Sequence, residues 1–600
     1  MQYRHAIKCN ARTESPSYFI ALAVAHIQHR AAKHSMKWVH TFKHVEGVRF
    51  RLEAGRVTRE QHFHHEILED FWEWYYEQLT TERPLWLWCD DLTRTASLLD
   101  LWKELDKGRL SHRCAVLTSR IGYISLLRDA QKSVWIDRRN WWRDPWPVTL
   151  STENIYHELQ SRVANLWTFL RKYDLGVLRV TCSGQSLQAY RHRFGPKVKE
   201  KHTPLTGINA GKTRLRMVVL PRVHNNELAL GLERDALHGG PVHMWQLGHV
   251  KGPVHILDVN SLYPAVMKQN LYPTRLLRCQ TMGNCHALHA IRDWQTAVAD
   301  VTLITDKPWY PLRRKDVTIY PTGRFRTCLA GPELAFAHER GHIIRCHAIA
   351  WYELADLFSR YVDFFWSMKA RSVWDVHGYW LPTVKIMLNS LHGKFCQGLS
   401  EWKEAPKILP AKRWGYWPNV LIDENKVQWC RSIAGKTQAS QPKGWADHAF
   451  PAVAAFVYSY ARLRMSKFFG VAELGKLYYS ATDSIQCNQK AADTLKAAGL
   501  VEANKLGLLR EVRTVPWVKY NGVHDYELPH ERKLSGIPAG ARHFANGEHH
   551  WLEHEQAGEV FERGPDGSLI TRRLRVRQDR VFRYGKVHAD GSVTPFQLQE

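Results

Sequence analysis

Asp258 closes an apolar run, Val254–Val259, just before a turn at Asn260-Ser261 and a helix-like Tyr263-Pro264-Ala265. A strand end is a rigid place to hold a charged group, and backbone groups leave the strand freely there. Asp483 offers a second carboxylate, on the tight turn of Leu477-Tyr-Tyr-Ser-Ala-Thr-Asp-Ser-Ile-Gln-Cys487, whose apolar arms read as a hairpin. Carboxylate oxygens suit hard divalent cations such as magnesium. Each acid alone also fits a solvated group ending a strand or turn. A third stretch, Thr383–Phe395, reads as a helix running into a glycine stop at Gly393. Lys385, Asn389 and His392 stand at i, i+4 and i+7 and share one face, while Met387, Leu391 and Phe395 share the core face.

The rest of the chain must position these groups. Residues 1–200 alternate strands and helices, with a buried-strand pattern at Leu85–Cys89 and a helix from Asn165 to Leu175. Gly239-Gly240 allow a close backbone approach to a phosphate or make a plain turn. Leu357–Arg371 is a helix with Lys369 in its last turn, residues 398–440 read as hairpins, and Phe450–Tyr460 is an apolar helix running into Arg462-Leu-Arg464. No internal repeat or long low-complexity tract is evident.

The 600 residues suggest two to four domains, and 44% hydrophobic content suffices for real cores. Lys plus Arg number 84 against 58 acids, a net charge of +26. That excess fits a polyanionic partner, because each cation that meets a phosphate releases a counterion. Eleven scattered cysteines with no CxxC pair fit a reduced cytosolic setting. No apolar run approaches the ~18 residues of a spanning helix, so no membrane partner is expected, and the charged N-terminus does not read as a signal peptide. Histidine groups at 62–65, at Cys285, His286 and His289, and at His550 and His554 lack a complete zinc ligand set. Hydrogen-bonded or solvated imidazoles are the plainer reading.

In this order, Asp258–Pro264 (DVNSLYP), Lys385–Gly393 (KIMLNSLHG) and Tyr479–Ser484 (YSATDS) resemble motifs A, B and C of family B DNA polymerases. Spacing and length resemble the protein-primed branch of phages and linear plasmids. The resemblance implies an α+β multidomain fold, a right hand of palm, fingers and thumb behind an N-terminal ribonuclease-H-like exonuclease domain. The implied boundaries are 1–200 for a degenerate exonuclease-type domain, 201–249 for a linker with the Gly-Gly segment, and 250–275 for the palm with motif A. Residues 276–355 resemble a terminal-protein region, 356–397 the fingers with motif B, and 398–440 a hairpin insertion. The palm resumes over 441–535 with motif C, and 536–600 are the thumb.

The implied activity is DNA-templated DNA synthesis by two-metal phosphoryl transfer, with two Mg2+ ions for which Mn2+ can substitute. Asp258 and Asp483 are the implied catalytic acids and, with the Val259 carbonyl, the metal ligands. Ser261, Leu262, Tyr263, Lys369, Lys385 and Asn389 would join Val259 around the nucleotide, with Tyr263 under the sugar. Gly239, Gly240, His392, Gly393, Lys519 and Tyr520 would contact DNA. Implied partners are primer-template DNA, deoxynucleoside triphosphates and a terminal priming protein. A monomer in the cytoplasm of a host cell is expected.

This sequence departs from the family pattern. Ala481 stands at the first acid of motif C, His392 at the motif B Tyr, and Lys369 at a triphosphate-binding Arg. Lys keeps the charge but loses the bidentate fork. The exonuclease motifs are also broken. Arg12-Thr13-Glu14 puts Arg at the first acid, the second motif aligns as Asp91 with Thr95, and Tyr156-His-Glu158 gives no good third copy. The expectation is a domain that keeps its fold and has lost proofreading, against the rival of a shifted alignment hiding a live site. The alternative for the whole chain is a catalytically silent polymerase fold serving as a DNA-binding or priming-complex scaffold.

Overall fold

The computed structural model describes residues 3–8, 18–30, 38–53, 56–79, 84–117, 120–142, 151–202, 213–283, 288–314, 317–370, 380–405, 413–421, 426–473, 475–538, 540–553, 556–563, 569–578 and 581–599. Arg12-Thr13-Glu14, Cys285, His286 and His554 lie outside them.

The N-terminal part is built on one large sheet. β1 (Tyr18–Arg30), β2 (Trp38–Glu53) and β3 (Arg56–His65) form an antiparallel meander. After helix α1 (Leu68–Glu77), β4 (Leu85–Cys89) lies parallel to β1. Beyond helix α2 (Leu92–Leu98) and the antiparallel pair β5 (Ser111–Leu117) and β6 (Arg120–Arg128), β7 (Gln131–Asp137) lies parallel to β4. The apolar run of β4 is buried throughout, as a strand covered on both faces must be. Helix α3 (Thr152–Lys172) starts on a Ser151 cap, whose hydroxyl accepts from the Asn154 N–H. Tyr156, Leu159, Val163, Leu166 and Leu170 of α3 are buried, the inward stripe of a helix laid on a sheet. The helix expected over 165–175 is the second half of this longer one.

The central sheet has seven strands. Its middle is β9 (Gly248–Val259), and its first strand is β8 (Val242–Met244), drawn from the stretch expected to be linker. Helix α5 (Leu262–Gln269) follows β9, and helix α4 (Cys182–Ala189) packs against the helix Trp380–Phe395. A separate five-stranded sheet takes β10 (Tyr272–Thr281), β11 (Ala297–Thr305), β12 (Thr322–Ala330) and β13 (Ile343–Ala355), with helix α6 (Gly331–Glu339) against it. Helices α7 (Ser359–Ala370) and α8 (Trp380–Phe395) are the two long elements expected around motif B. A four-stranded antiparallel sheet follows, made of β14 (Gly398–Glu404), β15 (Gly415–Leu421), β16 (Lys426–Ile433) and β17 (Lys436–Trp445). The apolar helix α9 (Pro451–Ala472) then leads to the hairpin β18 (Leu477–Ala481) and β19 (Ser484–Asn488), followed by β20 (Leu509–Gly522).

The stretch 536–600, expected as a thumb of its own, is divided. Strands within 542–578 lengthen the N-terminal sheet by pairing with the Trp38–His40 end of β2, and Gln597–Gln599 pair in parallel with β12. An open sheet edge offers unpaired N–H and C=O groups, and these strands satisfy it. Among the described residues, no helix is long and apolar enough to cross a membrane.

Candidate active site

β9 runs antiparallel to β19, with Asp258 opposite Ser484. One residue further on, the Val259 N–H donates to the Asp483 carbonyl at 2.7 Å. Two acids distant in sequence therefore stand on neighbouring strand ends. Their proximity is felt electrostatically. Burial pushes the Asp483 carboxyl up to about 6, and the Asp258 charge adds to that rise.

Both turns that present these acids hold strained backbone. Ser261 (φ 58°) and Thr482 (φ 57°) lie in the left-handed region, which costs a β-branched residue such as Thr482 more than most. The Thr482 turn is held down by the Gly-Gly segment. Its N–H donates to the Pro241 carbonyl at 2.7 Å, and a Cβ on Gly240 would stand 2.7 Å from the Thr482 methyl. Only glycine lets these two loops close on each other. Gly239 borders open space, so its backbone remains approachable.

Lys369 and Arg510 stand near the two acids, with Lys385 close to Lys369. Lys369, at the end of α7, donates to the Ser261 hydroxyl at 2.8 Å and the Asn260 side-chain oxygen at 3.3 Å. Burial, with Lys385 and Arg510 nearby, brings its ammonium down to about 8. Lys385 is exposed on α8, and so is Asn389 one turn later. Arg510, at the start of β20, donates to the Asp258 carboxylate at 2.9 Å.

The remaining expected residues fall into two groups. Leu262 is buried at the start of α5, and Tyr263 is half-buried beside the acids. Its ring lies 4.6 Å from the His392 ring and 5.6 Å from that of Tyr458. His392 is buried in this aromatic cluster, and its imidazole is pushed down to about 4 by burial, so it is a neutral packing group. The stripe expected to run Lys385–Asn389–His392 along one face thus turns inward at its end. Gly393 follows, half-buried, with open space where a Cβ would be. Lys519 is exposed on β20, whereas Tyr520 points inward and donates to the Gln486 side-chain oxygen at 2.7 Å. A direct DNA contact by the Tyr520 and His392 rings is not what this packing offers: side chains alternate along a strand, so of neighbours 519 and 520 only one faces out.

Sequence reasoning did not assign roles to Arg510, or to Arg462 with Glu333. Arg462, on α9, meets Glu333 of α6 at 2.5 Å and also donates to the carbonyls of His238 at 2.6 Å and Gly239 at 3.0 Å. Both side chains are almost fully buried. This pair clamps the Gly-Gly segment onto the site. Its only signal in the sequence was a guanidinium just past the apolar run Phe450–Tyr460.

Residues 150–406 match the family described as DNA polymerase type B, organellar and viral. No curated protein sequence matches the chain. Among solved structures, the fold is similar to phi29 DNA polymerase complexed with primer-template DNA and incoming nucleotide, at 13% identity and a TM-score of 0.61. That match covers 94% of this chain and all of the other. The orthorhombic crystal form of phi29 DNA polymerase aligns with a TM-score of 0.56 at 14% identity, covering 94% of this chain and 92% of that one.

Proposed function

We propose that this chain, type B over residues 150–406 and phi29-like in fold, is a DNA-directed DNA polymerase that extends a primer 3′-hydroxyl. The observation that carries this reading is the meeting of Asp258 and Asp483 on adjacent strand ends. The donor set fits hard divalent cations such as Mg2+, and it already attracts one positive group, the Arg510 guanidinium. Asp258, Asp483 and the Val259 carbonyl would hold the ions, which when bound lower the charge cost of in-line phosphoryl transfer.

The protein's own groups do the positioning. Lys369 and Lys385 face the place where a triphosphate would bring its negative charge, the electrostatic work this transfer requires. Tyr263, braced by His392 and Tyr458, forms a rigid floor against which a sugar would stack. Asn389 is free on the same helix face as Lys385 to support that pocket. Gly239, Gly240 and Lys519 form a backbone-and-cation path for DNA phosphates.

The ribonuclease-H-like reading of the N-terminal sheet is supported by β1, which lies between antiparallel β2 and parallel β4. We read it as an exonuclease fold without proofreading. β1 carries no acid at all. The acids on the ends of β4 and β7 are each neutralised, Asp90 by Arg138, Asp91 by Arg139, and Asp137 by Arg120 and Arg139. Guanidinium groups at these carboxylates stand where metal ions would be needed.

Residues 276–355 remain the proposed dock for a priming protein. Primer extension with Mg2+ or Mn2+ tests the main reading: the wild type extends, and Asp258→Asn and Asp483→Asn each abolish it. Salt-sensitive DNA binding with no extension would leave only a scaffold.

A further inference from the structure

A cluster outside the polymerase site has the composition of a transition-metal centre. His44 and Glu46 stand two residues apart on β2 and so face the same side of the sheet. His64 on β3 is the ladder partner of Glu46. Its Nδ1 lies 3.7 Å from one Glu46 carboxylate oxygen, and His44 Nε2 lies 3.7 Å from the other. The two imidazole rings are 4.6 Å apart. One ligand atom from each of the three residues lies within 4.8 Å of the others.

These separations are too long for hydrogen bonds. They are close to what three ligands keep around one ion at bond lengths of about 2.0–2.2 Å. The Glu46 side chain is only 18% exposed and that of His44 17%. A carboxylate so covered needs a positive partner. In the same domain, Asp90, Asp91 and Asp137 each have an arginine. Among the described residues, Glu46 has only the two histidines as ion-pair partners. One cation shared by the three ligands supplies that charge. Glu46 is also oriented from outside the trio, by a hydrogen bond from the Thr152 hydroxyl at the start of α3. Such an outer partner is the usual companion of a metal-ligating carboxylate.

We propose that His44, Glu46 and His64 form a site for one divalent transition-metal ion of the zinc class, tying the β2–β3 hairpin to the N-terminus of α3. Two imidazoles and a carboxylate select zinc, cobalt or nickel over magnesium. The trio lies on β2 and β3, apart from the arginine-bound acids of β4 and β7, and is independent of the polymerase carboxylates.

The test uses the full chain, stripped with chelator and dialysed, then titrated with Zn2+ against a chromophoric competitor. The background is Asp258→Asn/Asp483→Asn, which removes the polymerase acids from the count. One tight equivalent is expected. It should weaken at least tenfold in His44→Gln, Glu46→Gln and His64→Gln, and Zn2+ should raise the thermal midpoint only where the trio is intact. Co2+ should give a visible absorption band that these variants lose. His64 is half exposed, so His64→Gln keeps the test valid should the other two fold poorly. Zinc uptake unchanged in His64→Gln, or no tight equivalent in the parent, would overturn the proposal.

Discussion

The Arg510 guanidinium donates to the Asp258 carboxylate at 2.9 Å, across a rung where β20 pairs directly with β9. A cation therefore rests on an acid that the proposed reaction needs for metal. The pair is solvent-accessible, with Arg510 half exposed, so the attraction is screened and reversible. Arg510 then competes with divalent ions, the more so because Ala481 leaves the turn one acid short. In Arg510→Ala the Mg2+ concentration giving half-maximal primer extension should fall several-fold. A rise instead would show that Arg510 assists the metal site or the nucleotide.

The Arg462–Glu333 pair should matter most to stability. Removing one partner leaves a desolvated charge behind, at a cost of about 3–5 kcal/mol. Urea unfolding of Glu333→Ala should show a loss in that range. Arg462→Met combined with Glu333→Leu should recover much of it, since no buried charge is left. A Glu333→Ala variant as stable as the parent would mean that water reaches the pair.

What the sequence made legible follows from how local each signal is. The strand to Asp258, the helix carrying Lys385 and the hairpin around Asp483 all appear as expected, because periodicity and turn residues act over a few positions. The expected loss of the exonuclease motifs rests only on absences. The structure adds that Arg120 and Arg139 pair with Asp137 and that Arg138 pairs with Asp90, pairings set by strand order rather than spacing. Arg510 on Asp258 and Arg462 on Glu333 are likewise products of tertiary neighbourhood. His392 and Tyr520 were expected at DNA from motif position, whereas both are buried. The division of residues 536–600 among sheets depends on which edges lie open, and no local pattern encodes that.

Acid should destabilise the protein through its buried histidines. His238 is 2% exposed, and burial, with Arg462 and Arg313 close by, takes its imidazole from the ordinary 6.5 down to about 3. Burial takes His448 down to about 4. Between pH 6.5 and these values the unfolded chain binds protons that the folded chain refuses. Stability is thus complete above about 6.5 and declines as pH falls toward 3, by up to ~1.4 kcal/mol per pH unit for each such group. Chemical unfolding from pH 7 to 4 should show that decline. His238→Gln, which keeps a donor for the Cys328 carbonyl, should flatten it. An unchanged slope would remove His238 from the account.

Lys519 is exposed, with Glu527 3.6 Å away as a loose partner. Its proposed role is a phosphate contact, which is sequence-independent and works by counterion release. Lys519→Ala should weaken primer-template binding uniformly across sequences and reduce the salt slope, log Kd against log salt, by about 1. Tyr520→Phe should leave the slope alone, because its hydroxyl serves Gln486 inside the sheet. Equal salt slopes in Lys519→Ala and the parent would exclude this lysine from the DNA path.

The N-terminal domain should leave DNA ends intact. A 3′–5′ exonuclease needs carboxylates free to take up metal, and here Asp90, Asp91 and Asp137 are tied to Arg138, Arg139 and Arg120. Labelled single-stranded DNA incubated with the purified chain and Mg2+ or Mn2+ should keep its full length. Replacing Arg138 and Arg139 with alanine should not restore cleavage, because β1 still supplies no acid. Progressive 3′ shortening by the parent protein, lost on Asp91→Asn but not on Asp258→Asn, would place a live nuclease in this domain.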